Sequence, residues 1–226
     1  MAFKTKRIAK YQFITTDIEQ HSHADLAEFA CLGGAQWVQL RVKNSDEKSW
    51  RAIAKEVQGI CRKYKATFII NDNVSLASTL NADGVHLGKT DMSIREAREI
   101  LGKDKIIGGT ANAIEDIMEL VKQGADYIGL GPYRFTDTKK NLNTILGLKH
   151  MESIVAASKR VLGKAIPIIA VGGIKRDDIH AILRAGLFGC AVSAAVARSK
   201  YKIIASAKFA HQLRTIAEKL KNASIS

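Results

Sequence analysis

The chain has 226 residues, of which 46% are hydrophobic and 25% charged, with only 2 Pro. This is the composition of a folded globular protein and excludes a disordered chain, a collagen and a low-complexity linker. Its 35 Lys and Arg against 22 Asp and Glu give a net charge of +13, which raises nucleic acid, anionic lipid and small polyanions as partners. The basic residues are scattered over most of the expected helices and are densest near the end (Lys200, Lys202, Lys208, Arg214, Lys219, Lys221). That distribution reads as one face of a surface helix rather than a nucleic-acid footprint. The longest apolar stretch, Ala165 to Val171, is far short of the roughly 18 residues that span a bilayer, and Met1 to Lys10 is basic with no apolar run behind it. Neither membrane insertion nor export is expected. Cys31, Cys61 and Cys190 are odd in number and far apart in sequence, which fits neither a disulfide framework nor a thiolate metal cluster and points to a reducing cytoplasm.

Short β-branched runs alternate with longer amphipathic ones. Taken in chain order, the predicted strands are Tyr11 to Thr15, Gln36 to Val42, Thr67 to Ile70, Gly84 to Leu87, Ile106 to Gly109, Tyr127 to Gly131, Ile166 to Val171 and Gly189 to Ser193. Between and after them fall helices near Asp25 to Cys31, Lys48 to Lys63, Val74 to Leu80, Ile94 to Leu101, Ala113 to Lys122, Leu148 to Val161, Asp177 to Arg184 and Ile203 to Leu220. Ser93 and Asn112 read as N-caps, and Gly33, Gly124 and Gly186 as helix stops. Four helix-to-strand joints share a pattern, as in Asn81-Ala82-Asp83 and Gly124-Ala125-Asp126, so one unit recurs. Strict alternation forces parallel strands and right-handed crossovers, and eight units at this length predict a single-domain α/β (β/α)₈ TIM barrel. Its core should run from about 11 to 197, with 200–226 a closing helix and tail. No Gly-x-Gly-x-x-Gly follows the first strand, against a dinucleotide-binding sheet.

In such a barrel the active site lies at the C-terminal ends of the strands. Strand 2 ends Gln39-Leu40-Arg41-Val42-Lys43, and alternation puts Gln39, Arg41 and Lys43 on one face. A parallel strand is buried on both faces, so two cations there call for an anion to meet them. Strand 3 ends Asn71-Asp72, and Asp91 follows strand 4. Two carboxylates on neighbouring strands, roughly 5 Å apart at their axes, suit Mg²⁺, which favours oxygen ligands and shares its shell with phosphates. An Asx turn at Asp72 and a helix N-terminal charge at Asp91 are the competing structural roles. The loop Gly131 to Lys140 carries Thr136, Thr138, Lys139 and Lys140, and strand 7 runs into Gly172-Gly173 while strand 8 ends at Ser193. These are anion-binding compositions, at the place where this fold commonly holds phosphate. No Ser or Cys is paired with His, and His86 reads as a packed barrel histidine. The site is suited to hold two anionic groups and a metal and to stabilise charge on a departing oxyanion, as in displacement of pyrophosphate.

With these residues in place, the chain resembles the thiamine-phosphate synthase family from Tyr11 to Ala197. The resemblance is carried by Gln39-x-Arg41-x-Lys43, Asn71-Asp72, Ala82 to Gly88 followed by Asp91-Met92, Gly131-Pro132, Thr136-x-Thr138-Lys139, Gly147-Leu148 and Gly172-Gly173-Ile174. It implies coupling of hydroxymethylpyrimidine pyrophosphate to thiazole phosphate, giving thiamine phosphate and pyrophosphate. It also implies that Gln39, Leu40, Arg41, Val42, Lys43, Asn71, Thr110 and Lys139 hold the pyrimidine pyrophosphate, with Arg41, Lys43 and Lys139 catalytic. Asp72 and Asp91 would carry one Mg²⁺ per subunit, and Thr136, Asp137, Thr138, Gly173, Ser193 and Ala194 would hold the thiazole phosphate. The chain departs from the family at Thr110 and Ala194, where Ser is common, and at Phe135, which is usually Pro. Phosphorylated small molecules are the expected partners, not nucleic acid or membrane, with homo-oligomerisation left open. Two alternatives compete. One is the paralogous thiazole tautomerase, which would need a histidine after strand 5 where this chain has Asn112. The other is a non-catalytic barrel that binds a phosphorylated ligand, whose affinity would fall steeply with salt.

Overall fold

In the computed structural model, which describes residues 8–43, 45–135, 145–163 and 165–223, β1 (Tyr11–Ile14) pairs in parallel with both β2 (Trp37–Leu40) and β8 (Gly189–Val192). The strands between are β3 (Thr67–Asn71), β4 (Gly84–Leu87), β5 (Ile106–Ala111), β6 (Tyr127–Leu130) and β7 (Ile168–Ala170), each bonded to its sequence neighbours, so the sheet closes on itself. The predicted (β/α)₈ barrel is therefore the observed one. The helices are α1 (His23–Leu32), α2 (Glu47–Lys63), α3 (Val74–Thr79), α4 (Ile94–Leu101), α5 (Ile114–Lys122), α6 (Gly147–Leu162), α7 (Ile179–Arg184), α8 (Ala194–Ala197) and α9 (Lys202–Ala223). None among the described residues is long and apolar enough to cross a membrane.

Two apolar layers follow from the alternation of side chains along buried strands. Val38, Leu40, Phe68, Ile70, Val85, Ile107 and Leu130 belong to the main core, shared with the helices. Trp37, Ile69, Ile106, Tyr127, Ile169 and Ala191 form a second cluster that plugs the barrel. Trp37 and Tyr127 are fully buried and meet edge-on, with centroids 4.7 Å apart. Rings of this size bury roughly 150–250 Å² each, about 4–6 kcal/mol of transfer free energy before the entropy of ordering is counted. Cys31, Cys61 and Cys190 are buried and unbridged.

Several boundaries differ from the sequence reading for local reasons. β2 stops at Leu40, so Arg41 stands just beyond the strand, whereas β5 extends to Ala111 because Thr110 and Ala111 pair with Gly129 and Leu130. Ser93 caps α4 as expected, accepting from the Glu96 N–H while Glu96 reaches back. Asn112 does not cap α5. That helix begins at Ile114, the Asp116 carboxylate accepts the N–H groups of Asn112 and Ala113, and the Asn112 amide donates to the Gly131 carbonyl. Gly124 and Gly186 have left-handed backbones after their helices, but at the end of α1 that role falls to Gly34 (φ +90°) rather than Gly33. Gly33 instead lets α9 cross closely: a Cβ there would lie 2.5 Å from the Cβ of Ser206, whose hydroxyl donates to the Ala30 carbonyl at 2.9 Å.

Candidate active site

A cavity of about 630 Å³ opens at the carboxyl ends of the strands, within the range typical of small-molecule sites. Gln39, Arg41, Asn71, Asp72, Asp91 and Thr110 line one side, and Gly172, Gly173, Ser193 and Ala194 line the other. Of the predicted substrate-binding residues, Leu40 is fully buried in the helix-facing core and Val42 packs against it, so only their backbone groups are available to a ligand. Lys43 is half-buried just past the strand and is not among the lining residues. Thr136, Asp137, Thr138 and Lys139 lie outside the described residues. The sequence reading missed Gln12, Thr15, Thr16, Lys89 and Asn112, all of which line the cavity. Its own rule of collecting polar residues at strand ends reaches Thr15 and Thr16. Gln12 is signalled by a polar residue inside an apolar strand.

Local chemistry fixes how these groups are presented. The Arg41 backbone N–H donates to the Thr15 hydroxyl at 3.1 Å, tying the end of strand 2 to the end of strand 1. Asp72 sits in the left-handed region (φ +64°), which Asp tolerates better than most residues, and its N–H donates to the His86 carbonyl at 2.8 Å. One Asp91 oxygen accepts the Gly88 N–H at 2.6 Å, and a Cβ at residue 88 would come within 2.9 Å of that oxygen. Asp91 is thus held by backbone on the cavity wall. No group of three or more His, Cys, Asp or Glu among the described residues could cage a metal. The donor set on this wall, two carboxylates in an open cleft, suits an ion that keeps its waters and takes ligand phosphate oxygens, as Mg²⁺ does, better than one needing a protein cage.

The opposite wall is a backbone site. Gly172 (φ +95°) and Gly173 (φ +64°) turn the chain at the end of β7, and a Cβ on Gly173 would lie 2.4 Å from Arg134 Cγ and 2.9 Å from the Phe135 carbonyl oxygen. Arg134 clamps this turn. Its guanidinium donates to the Gly173 carbonyl at 2.8 Å and forks onto Asp178 at 2.5 and 2.8 Å. Beside it, the Ser193 hydroxyl is buried with no hydrogen-bond partner among the described residues, an arrangement costly to keep unless another group fills it. Ser193 leads into α8, which the sequence reading missed because four residues are too few to show a period.

The Asp178 clamp carries a pH signature. Burial pushes its carboxyl up, but the Arg134 fork and the Lys175 N–H at 2.7 Å outweigh it and leave the group below its ordinary 3.8. A carboxyl depressed in the folded state contributes stability above its unfolded value, and this is lost as pH falls through the lower folded value. Asp178→Asn should therefore lower Tm near neutral pH by roughly 2–4 °C, equivalent to about 1 kcal/mol after discounting for a guanidinium a third exposed. The gap to wild type should close below about pH 4 in a thermal-melt series. A gap unchanged at acid pH would contradict the clamp.

Comparisons with known proteins agree with this geometry. The model of the thiamine monophosphate synthase family matches residues 11–196. A thiamine-phosphate synthase of Phocaeicola vulgatus is 46% identical over 194 residues, covering 86% of this chain and 93% of its own. One from Flavobacterium johnsoniae is 50% identical over 171 residues, covering 76% and 80%. The solved thiamine phosphate pyrophosphorylase from Pyrococcus furiosus superposes with a TM-score of 0.79 at 33% identity, covering 93% of this chain and 96% of its own. With the match running from β1 into α8, and the cavity at the expected end of the barrel, the chain belongs to the thiamine monophosphate synthase family and is a transferase of thiamine biosynthesis.

Proposed function

We propose that this enzyme joins hydroxymethylpyrimidine pyrophosphate to thiazole phosphate, releasing pyrophosphate and forming thiamine phosphate. The observation that carries the reading is a single cavity with two kinds of anion site: Arg41 with two carboxylates on one wall, and Gly172-Gly173 with the unpartnered Ser193 hydroxyl on the other. On the first wall, Gln39, Arg41, Asn71 and Thr110 bind and orient the pyrimidine pyrophosphate, and Lys43, just past β2, and Lys139, outside the described residues, are assigned to the same substrate from the sequence. On the second, Gly173, Ser193 and Ala194 hold the thiazole phosphate, and Thr136, Asp137 and Thr138, outside the described residues, are assigned to the same phosphate from the sequence alone. Ala194 brings no hydroxyl, so at that position only the backbone serves.

The thiazole nitrogen attacks the pyrimidine methylene with its lone pair. As the new C–N bond forms, the C–O bond to pyrophosphate breaks and the leaving oxygen takes the electron pair. No proton is removed, so the step asks for no general base. Arg41, Lys43 and Lys139 meet the charge growing on the leaving group, where one preorganised donor is worth about 10²–10³ in rate. Asp72 and Asp91 would hold Mg²⁺, which when bound supplies further neutralisation of the pyrophosphate oxygens. The tautomerase reading is disfavoured because Asn112, in place of the histidine it needs, spends its amide on the Gly131 carbonyl.

Magnesium dependence tests this reading. Chelation should abolish turnover, and Asp91→Asn should raise the Mg²⁺ needed for half-maximal rate by about tenfold or more, the scale seen when a metal site loses one of its anchoring partners. Turnover indifferent to chelator would contradict it.

A further inference from the structure

Four polar side chains from four strands gather around one phenol beneath the cavity, three of them on its oxygen and the fourth linked through His86. Tyr127 on β6 is fully buried, and its oxygen lies 3.5 Å from the Gln12 amide of β1 and 3.0 Å from His86 Nδ1 of β4. The Gln39 side chain of β2 also hydrogen-bonds it. His86 Nε2 in turn lies 3.0 Å from the Thr110 hydroxyl of β5, and both His86 and Thr110 line the cavity. Two glycines make room. A Cβ on Gly108 would lie 2.1 Å from the Tyr127 ring, and one on Gly129 would be 3.1 Å from His86 Cε1.

The protons in this cluster can be counted. A phenol has one hydrogen and two lone pairs, and an amide NH₂ only donates. Gln12 and Gln39 both donate to the Tyr127 oxygen, so the phenol hydrogen goes to its remaining neighbour, His86 Nδ1. A neutral imidazole that accepts at Nδ1 carries its hydrogen at Nε2. That hydrogen is directed at the Thr110 oxygen, and the Thr110 hydroxyl is left to send its own hydrogen into the cavity. Burial keeps Tyr127 above the ordinary tyrosine range despite the amide donors, so the phenol retains its proton.

We propose that Tyr127 and His86 are positioning residues that lock the Thr110 hydroxyl as a hydrogen-bond donor toward an anionic oxygen in the cavity. The inference rests on the reading above, in which that oxygen belongs to the pyrophosphate of the pyrimidine substrate. A threonine hydroxyl otherwise rotates and both donates and accepts. Here donation runs one way, from the glutamine amides through Tyr127 and His86 to Thr110, so the donor is oriented before the ligand arrives and needs no reorganisation on binding.

The test begins on the unmodified protein. In ¹⁵N spectra of histidine-labelled enzyme, with the His86 signals assigned by their loss in His86→Gln, the ring should be neutral with Nε2 protonated and Nδ1 bare. Binding of inorganic pyrophosphate with Mg²⁺, followed by calorimetry, gives the second readout. Thr110→Val should weaken it about tenfold or more, Thr110→Ser should restore it to within about twofold, and Tyr127→Phe should weaken it about fivefold while mixing the His86 tautomers. The Nδ1–H tautomer in an enzyme that still binds pyrophosphate would overturn the relay and leave the synthase reading standing. Wild-type protein that binds no pyrophosphate would overturn the reading of the site and the purpose of the relay with it. Wild-type affinity and an unchanged tautomer in Tyr127→Phe would overturn the positioning role.

Discussion

Arg41→Ala is expected to lower kcat by more than about 10²-fold while leaving Tm within roughly 2 °C. The two effects separate because of where the residue stands. β2 ends at Leu40, so Arg41 has left the strand and holds its place through a backbone N–H to Thr15 that alanine keeps. The side chain is half-buried on the cavity wall with Gln39 and Asn71, not in either apolar cluster. Its removal takes a fixed cation away from the place where the leaving group gathers charge. Arg41→Lys should recover part of the loss, because it keeps the charge but not the planar two-pronged donor. Steady-state kinetics beside a thermal melt decide the matter. A variant turning over within a few-fold of wild type would reduce Arg41 to a solvated strand end.

A large loss of stability is expected at Gly108. An added Cβ would lie 2.1, 2.2 and 2.7 Å from three atoms of the Tyr127 ring. The ring has nowhere to go: Trp37 stands edge-on against it at 4.7 Å, and its phenol is bonded to His86 at 3.0 Å. Gly108→Ala should therefore cost about 3 kcal/mol, the upper part of the usual range for overpacking, and lower Tm by roughly 6–12 °C. Shortening the ring restores the space, so Tyr127→Leu and Gly108→Ala combined should cost less than the sum of the two alone. Additive losses, or a Gly108→Ala melt within about 2 °C of wild type, would contradict the packing described.

Much of this architecture was legible in the sequence because it rests on period and position. Eight β-branched runs separated by amphipathic ones leave little choice but a closed parallel barrel. Arg41, Asn71 and Asp72 were readable because a charged or amide side chain at the end of a strand buried on both faces has few structural reasons to be there, and Asp91 because it follows β4 in the next loop on the same end of the barrel. What escaped depended on contacts between distant segments. Asn112 looks like a helix cap until its amide is seen on Gly131. Arg134 looks like a loop cation until it forks onto Asp178. His86 was read as a packed barrel histidine, and it is buried as such. Its link to Thr110 required the register of four neighbouring strands and the two glycines that make room for the rings.

The most direct test of the central claim is a single reaction containing pyrimidine pyrophosphate, thiazole phosphate and Mg²⁺, with pyrophosphate and thiamine phosphate followed together. The account predicts that both products form in equal amounts and that neither forms without the metal or without either substrate. Pyrophosphate released with no thiamine phosphate, or no product from a folded enzyme that binds both substrates, would contradict it.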